Sequence, residues 1–185
     1  PWAMPPAMLR GLAKAHGEGH DLVLIEGVMG LFDGAISGGG STADLAATLG
    51  LPVILVIDCA RQAQSVGALA KGFANWREDV RVAGVILNKV ASERHETMLR
   101  DAIRQTGLPV LGAIPRRTDL ELPARHLGLV LPGDIEGIDD YLACAGAVAE
   151  THINFELLDA IAEPLDGSGT VGALPPLGQT IAVAH

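Results

Sequence analysis

Aromatic residues make up only 3% of this 185-residue chain, so a core here must be built from Leu, Val, Ile and Ala. Positive charge is also scarce. Thirteen Lys and Arg stand against 22 Asp and Glu, and the net charge of −9 argues against a nucleic-acid groove or an anionic membrane surface. The two cysteines, Cys59 and Cys144, are too few for a disulfide framework and read as reduced thiols of a cytoplasmic protein. The longest apolar run, Leu51 to Ile57, has a strand's length and falls far short of a bilayer span. The opening Pro1-Trp2-Ala3-Met4 lacks a basic segment, an apolar segment and an initiator methionine, so the expectation is a piece of a longer chain with no secretory leader. Only Lys14, Lys71 and Lys89 are lysines, and none follows a glycine, which excludes a G-x-x-x-x-G-K-[ST] phosphate loop within these residues. A nucleophile elbow is missing too, because Cys59 sits in Asp58-Cys59-Ala60 without flanking glycines. Its expected role is a buried structural thiol.

What is present is strongly apolar, at 49% against 19% charged, and long enough for one domain or slightly more. The chain is organised around Asp21 to Gly34. Leu22 to Ile25 reads as a strand covered on both faces. The run ends on Glu26 and breaks at Gly27, Gly30 and Gly34, with Asp33 among them. Ligands of open α/β sheets bind at the carboxyl ends of strands. A carboxylate there, beside a turn that admits backbone to a ligand, suits a hard cation carrying phosphates.

Helices are expected over Ala7–Ala15, Ala43–Leu49, Gln64–Trp76, Glu93–Thr106, Ile138–Glu150 and Phe155–Ala162. Further strands are expected over Leu51–Asp58, Val82–Lys89 and Pro109–Pro115, making four in all. This alternation gives an α/β fold with a mostly parallel sheet and right-handed crossovers. Ser41 or Thr42 suits the N-cap of the second helix, whose first N–H groups could hold an anion. Gly38, Gly40 and Ala43, followed by Asp58, imitate a dinucleotide fingerprint, but the glycines stand well past Ile25 instead of directly after the strand. His16 and His20 have zinc-like spacing broken by Gly17 and Gly19, which favours a solvated loop. Asn88 closes a strand with an amide able to face a purine edge, or simply to form a turn. Arg116, Arg117, Arg125 and His126 gather positive charge on an otherwise acidic chain, where the ordinary alternative is solvated surface. Leu120–Val130 reads as irregular, Glu163–Gly178 as a linker, and Ile181–Ala184 as the first strand of something else.

Several strings occur together in a recognisable order: Glu26-Gly27-Val28-Met29-Gly30-Leu31-Phe32-Asp33-Gly34, Gly40-Ser41-Thr42-Ala43, Gly84-Val85-Ile86-Leu87-Asn88-Lys89-Val90, Ser92-Glu93-Arg94-His95, Leu122-Pro123-Ala124-Arg125-His126-Leu127-Gly128-Leu129, and Pro176 to Ala184. Over nearly its whole length the chain resembles the cobyrinic acid a,c-diamide synthase family, its hydrogenobyrinic acid form included. The resemblance implies a P-loop NTPase architecture of dethiobiotin-synthetase type, here lacking its N-terminal P-loop unit, joined to a glutamine amidotransferase domain. It implies ATP and Mg²⁺ as cofactors, a corrinoid and glutamine as partners, and amidation of the a and c carboxylates in cobalamin biosynthesis. Residues 1–150 would belong to the synthetase domain, 151–178 to a helix and linker, and 179–185 to the start of the amidotransferase domain.

Carried over residue by residue, Glu26 looks like the Mg²⁺ ligand and Asp33 like a metal- or substrate-facing acid. Asn88 resembles the adenine reader, Pro115 and Arg116 line the base pocket, and Ser41 and Thr42 hold a substrate carboxylate. Without P-loop or glutaminase residues, this stretch alone is expected to be inactive. Its open sheet edge is expected to favour association, as a homodimer for instance. The competing readings are a partition-type P-loop ATPase module and, behind it, a dinucleotide-binding domain.

Overall fold

The computed structural model describes residues 3–36, 38–120, 135, 137–165, 168 and 169. The chain forms two compact units, one within Pro1–Leu51 and Glu163–His185, the other Pro52–Ala162.

The first unit holds two helices. Helix α1, Pro6–Gly17, opens behind Pro5, with Pro6 in its first turn, where a missing N–H costs nothing. Helix α2, Thr42–Leu49, is closed by Gly50 in the left-handed conformation, φ +68°. The strand expected over Leu22–Ile25 does not form. Among the described residues no strand pairs with it, and Leu24 is 77% exposed. An apolar run becomes a strand through a hydrogen-bonding neighbour and a covering layer, and the described residues supply it with neither.

The second unit carries the parallel sheet, which among the described residues has three strands in place of the four expected. Strands β1 (Val53–Asp58), β2 (Val82–Val90) and β3 (Val110–Pro115) lie in the order β1-β2-β3. Each crossover contains a helix, α3 (Ser65–Asn75) and then α4 (Glu93–Arg104), as parallel pairing requires. Val66 and Ala70 of α3 and Leu99, Ala102 and Ile103 of α4 pack with Ile57, Val85, Leu87 and Ala113 of the sheet into one core. The two helices approach so closely that a methyl on Gly67 would lie 2.7 Å from the Ala102 carbonyl oxygen. The outer face of α4 carries ion pairs at helical spacing, Glu96–Arg100 at 2.7 Å and Asp101–Arg104 at 2.6 Å.

Helix α5, Ile138–His152, and helix α6, Phe155–Ile161, run with β3. Ile153 bridges Gly112 between them, the Asn154 N–H donates to the Leu111 carbonyl, and the Asn154 side chain caps α6 by accepting from the Leu157 N–H at 2.9 Å. Residues 151–161 therefore continue the packing of this unit. The irregular stretch expected at Leu120–Val130 lies outside the described residues except for Leu120, as do Arg125, His126, most of the linker, and the strand expected at Ile181–Ala184.

Candidate functional site

In the first unit Glu26 is exposed at the end of its irregular run, and the glycines after it are spaced by contacts. A methyl on Gly27 would lie 2.7 Å from the Thr42 hydroxyl oxygen, so only glycine lets this turn rest on the first residue of α2. A Cβ on Gly30 would collide with the Asp33 carboxylate, which folds back over the turn closed by the Asp33 N–H donating to the Gly30 carbonyl at 2.9 Å. Asp33, Met29, Gly34, Ala35 and Gly40 line an open pocket of about 360 Å³. Gly38, Gly39 and Gly40 all take positive φ, a run that side chains would resist. No strand precedes these glycines directly, which removes the dinucleotide fingerprint.

Ser41 caps α2 in a complete capping box. Its hydroxyl accepts from the Asp44 N–H at 3.1 Å, while its N–H and its hydroxyl donate to the Asp44 carboxylate at 2.9 and 2.8 Å. Ser41 is buried, and its hydroxyl is committed to the cap. The Ala43 N–H donates to the Leu31 carbonyl. The anion site expected at this helix terminus is thus corrected: two of its N–H groups are spent, and a carboxylate already occupies the end.

In the second unit the strand tips carry Asp58, Asn88, Lys89 and Arg116. Lys89 Nζ donates to Asp58 Oδ2 at 2.6 Å, and Asp58 Oδ1 accepts from the Ala60 N–H at 2.9 Å. The hydrogen bond from Lys89, then that from Ala60, hold the Asp58 carboxyl below the usual carboxylate range, and the charges of Lys89 and Arg116 add to this. Both side chains of the pair are about half exposed, so it fixes geometry more than it stabilises the fold. The Arg116 N–H donates to the Val90 carbonyl, which places Pro115 and Arg116 beside the end of β2.

His95 ties the adjoining loops together. Its Nδ1 accepts from the Ala91 N–H at 3.1 Å, which leaves the proton on Nε2 to be donated to the Gln62 carbonyl at 2.8 Å. Cys59 is fully buried beneath this rim, and desolvation raises its thiol to about 11. It stays protonated at neutral pH, as a structural thiol would.

Lys89 is the feature that sequence reasoning missed. Its φ of +57° is the only positive value at a non-glycine among the described residues. The left-handed conformation costs an ordinary residue about 1–2 kcal/mol. No signal in the sequence marks it, since a lysine after an asparagine at a strand end looks ordinary.

A family profile described as an AAA domain matches residues 9–124. The chain belongs to the AAA domain family. Its sheet with flanking helices agrees with the α/β class and P-loop NTPase-like architecture expected of it. Curated relatives agree along the whole of the chain: a hydrogenobyrinate a,c-diamide synthase of Brucella anthropi is 50% identical over 189 residues, one of Rhizobium meliloti 49% over 185, and one of Mesorhizobium japonicum 46% over 189. In each case the match covers 100% of this chain and 43% of the relative, so the AAA domain chain spans under half the length of the proteins it resembles. No solved structure matches it.

Among the described residues no cluster of three or more His, Cys, Asp or Glu could hold a metal. Mg²⁺ takes one or two protein carboxylates and completes its shell with phosphates and water, and in the first unit the exposed Glu26 and the pocket-lining Asp33 are carboxylates that could hold it. No helix among the described residues is long and apolar enough to cross a membrane.

Proposed function

We propose that this chain is the central part of an ATP- and glutamine-dependent amidoligase that converts the a and c carboxylates of hydrogenobyrinic or cobyrinic acid to amides. The observation that carries the reading is the agreement of about half the residues, along the full chain, with proteins named hydrogenobyrinate a,c-diamide synthase. The sites fit it. Glu26 and Asp33 offer oxygen ligands to Mg²⁺, which would neutralise the charge of the ATP phosphates. The turn at Gly30 keeps the Asp33 carboxylate beside the pocket, and the Thr42 hydroxyl meets Glu26's neighbour Gly27 and can donate to a substrate carboxylate. Ser41 serves the same region from behind, by holding the start of α2. Asn88, Pro115 and Arg116 would bind the nucleotide base. Residues 1–150 would be synthetase, 151–178 helix and linker, and 179–185 the entry to a glutaminase domain in a cytoplasmic enzyme.

The full-length enzyme, given hydrogenobyrinic acid, ATP, Mg²⁺ and glutamine, is expected to form the a,c-diamide with release of phosphate and glutamate. Residues 1–185 alone are expected to release neither. Full-length protein that binds ATP without amidating a corrinoid would favour the partition-type ATPase reading instead.

A further inference from the structure

The end of β2 contains an extra residue. Leu87 stands beside Ala113 and Val90 beside Pro115, so three steps along β2 match two along β3. Leu87 and Val90 are both buried in the one core, although an uninterrupted strand would point them to opposite faces. The bulge is made by Asn88 and Lys89, with Lys89 in the left-handed conformation that such a position normally gives to glycine. Bulges are uncommon in parallel pairs, and those near functional sites re-aim a side chain.

Here the side chain re-aimed is Asn88. The Lys89 N–H, turned by φ +57°, donates to Asn88 Oδ1 at 2.8 Å. Only the amide oxygen can accept that bond, so the flip of the amide is settled and its NH₂ is directed away from the strand backbone. The Asp58 carboxylate grips Lys89 Nζ from the tip of β1, and the Asn88 carbonyl is held by the Cys59 N–H at 2.8 Å. An amide locked this way still presents its N–H donors and one remaining acceptor lone pair, of which one N–H and the lone pair can face a base edge together. That pattern matches adenine, which offers N7 as acceptor and its 6-amino group as donor. Guanine offers two acceptors, N7 and O6, so the fixed oxygen would face O6 in repulsion.

We infer that Lys89 is a positioning residue whose left-handed bulge locks the Asn88 amide and thereby selects adenine over guanine nucleotides. The inference rests on the nucleotide-binding reading above. Selectivity on this account depends on backbone conformation at residue 89, not on the lysine charge.

The test is the ratio of GTP to ATP dissociation constants for the full-length protein, measured by calorimetry with Mg²⁺. Lys89→Gly, which takes positive φ freely, should keep the ratio within about twofold of wild type. Lys89→Val, whose branched side chain resists that conformation, should lower the ratio about fivefold or more, and Lys89→Ala, less crowded in the strand and the safer variant to fold, should fall between. Equal loss in the glycine and valine variants would show that the ammonium acts by its charge and would overturn the inference. So would unchanged ratios in all three variants while Asn88→Ala abolishes the preference. If wild-type protein bound neither nucleotide, the reading of function would fail and this inference with it.

Discussion

The run before Glu26 and the run before Asp58 look alike in sequence, each an unbroken apolar stretch ending on a carboxylate, yet only the second is a strand. Val53–Asp58 has β2 beside it in parallel register and a core containing Ile57 against it. Leu22–Ile25 has no such neighbour among the described residues, and Leu22, Leu24 and Ile25 are exposed. The polar tips differ accordingly. Asp58 is held by Lys89 and by the Ala60 N–H, both within one hydrogen-bonded frame. Glu26 and Asp33 are placed instead by glycine contacts with Thr42 and within the turn at Gly30. A carboxylate on a paired strand is fixed by the sheet, whereas one on an unpaired loop depends on what close approach of the backbone allows.

The comparison can be strained first at its rigid end. Leu99 is fully buried in α4 within the core of the second unit. Leu99→Ala should destabilise that unit by about 2–5 kcal/mol, from lost burial and the cavity left behind. Chemical denaturation followed by circular dichroism measures it. A loss below about 1 kcal/mol would show a core that collapses around the gap, and the contrast between the two units would weaken.

At the loop end the largest effect should be catalytic. Glu26→Gln keeps the size of the side chain and removes the charge. In the full-length enzyme it should lower diamide formation about a hundredfold, equivalent to about 2.7 kcal/mol of transition-state stabilisation, with the melting temperature nearly unchanged. Wild-type turnover at saturating Mg²⁺ would place Glu26 outside the site.

Ser41 marks the boundary between the two kinds of placement, being a buried cap within the loop-built unit. Ser41→Ala removes one partner of the Asp44 N–H and one donor to the Asp44 carboxylate. The expected cost is about 1 kcal/mol of stability. Ser41→Asp, which retains an acceptor for the N–H but sets two carboxylates together, should not restore it. If Ser41→Ala instead weakened corrinoid binding at unchanged stability, the hydroxyl would belong to the substrate and not to the cap.

The helices were legible in the sequence because their signals are local. Ser41, Ser92 and Asn154 each cap the helix that follows, and Gly50 and Gly107 take positive φ just past helix ends. Three of the four expected strands were legible for the same reason that βα alternation is. The fourth failed because apolar continuity records the burial a segment would have with neighbours, and says nothing about whether those neighbours are there. At the candidate sites, the positions of Glu26 and Asn88 at the ends of apolar runs, and of Asp33 among the glycines, were visible. The Ser41-x-x-Asp44 spacing is a capping-box signature that commits the Ser41 hydroxyl to the cap, whereas the bulge at Lys89 was not visible, since it depends on register and backbone conformation that no spacing of residue types encodes.

The smallest expected effect is the sharpest probe of that fourth run. Leu24 is 77% exposed, and replacing it removes little buried surface. In residues 1–185, Leu24→Ser should change stability by no more than about 0.5 kcal/mol, the ordinary range for a surface substitution. Serine at the centre of a doubly covered strand would behave otherwise, because burying a hydroxyl without a partner adds about 1–3 kcal/mol to the lost apolar contact. Running the same substitution in the full-length protein therefore separates two states of one segment. A neutral effect in both would make Leu22–Ile25 a surface loop wherever it occurs. Neutrality in residues 1–185 with a clear loss in the longer protein would show that the run becomes a strand only when a neighbour pairs with it, so that the carboxylate of Glu26 gains the sheet-held placement that Asp58 has within this chain.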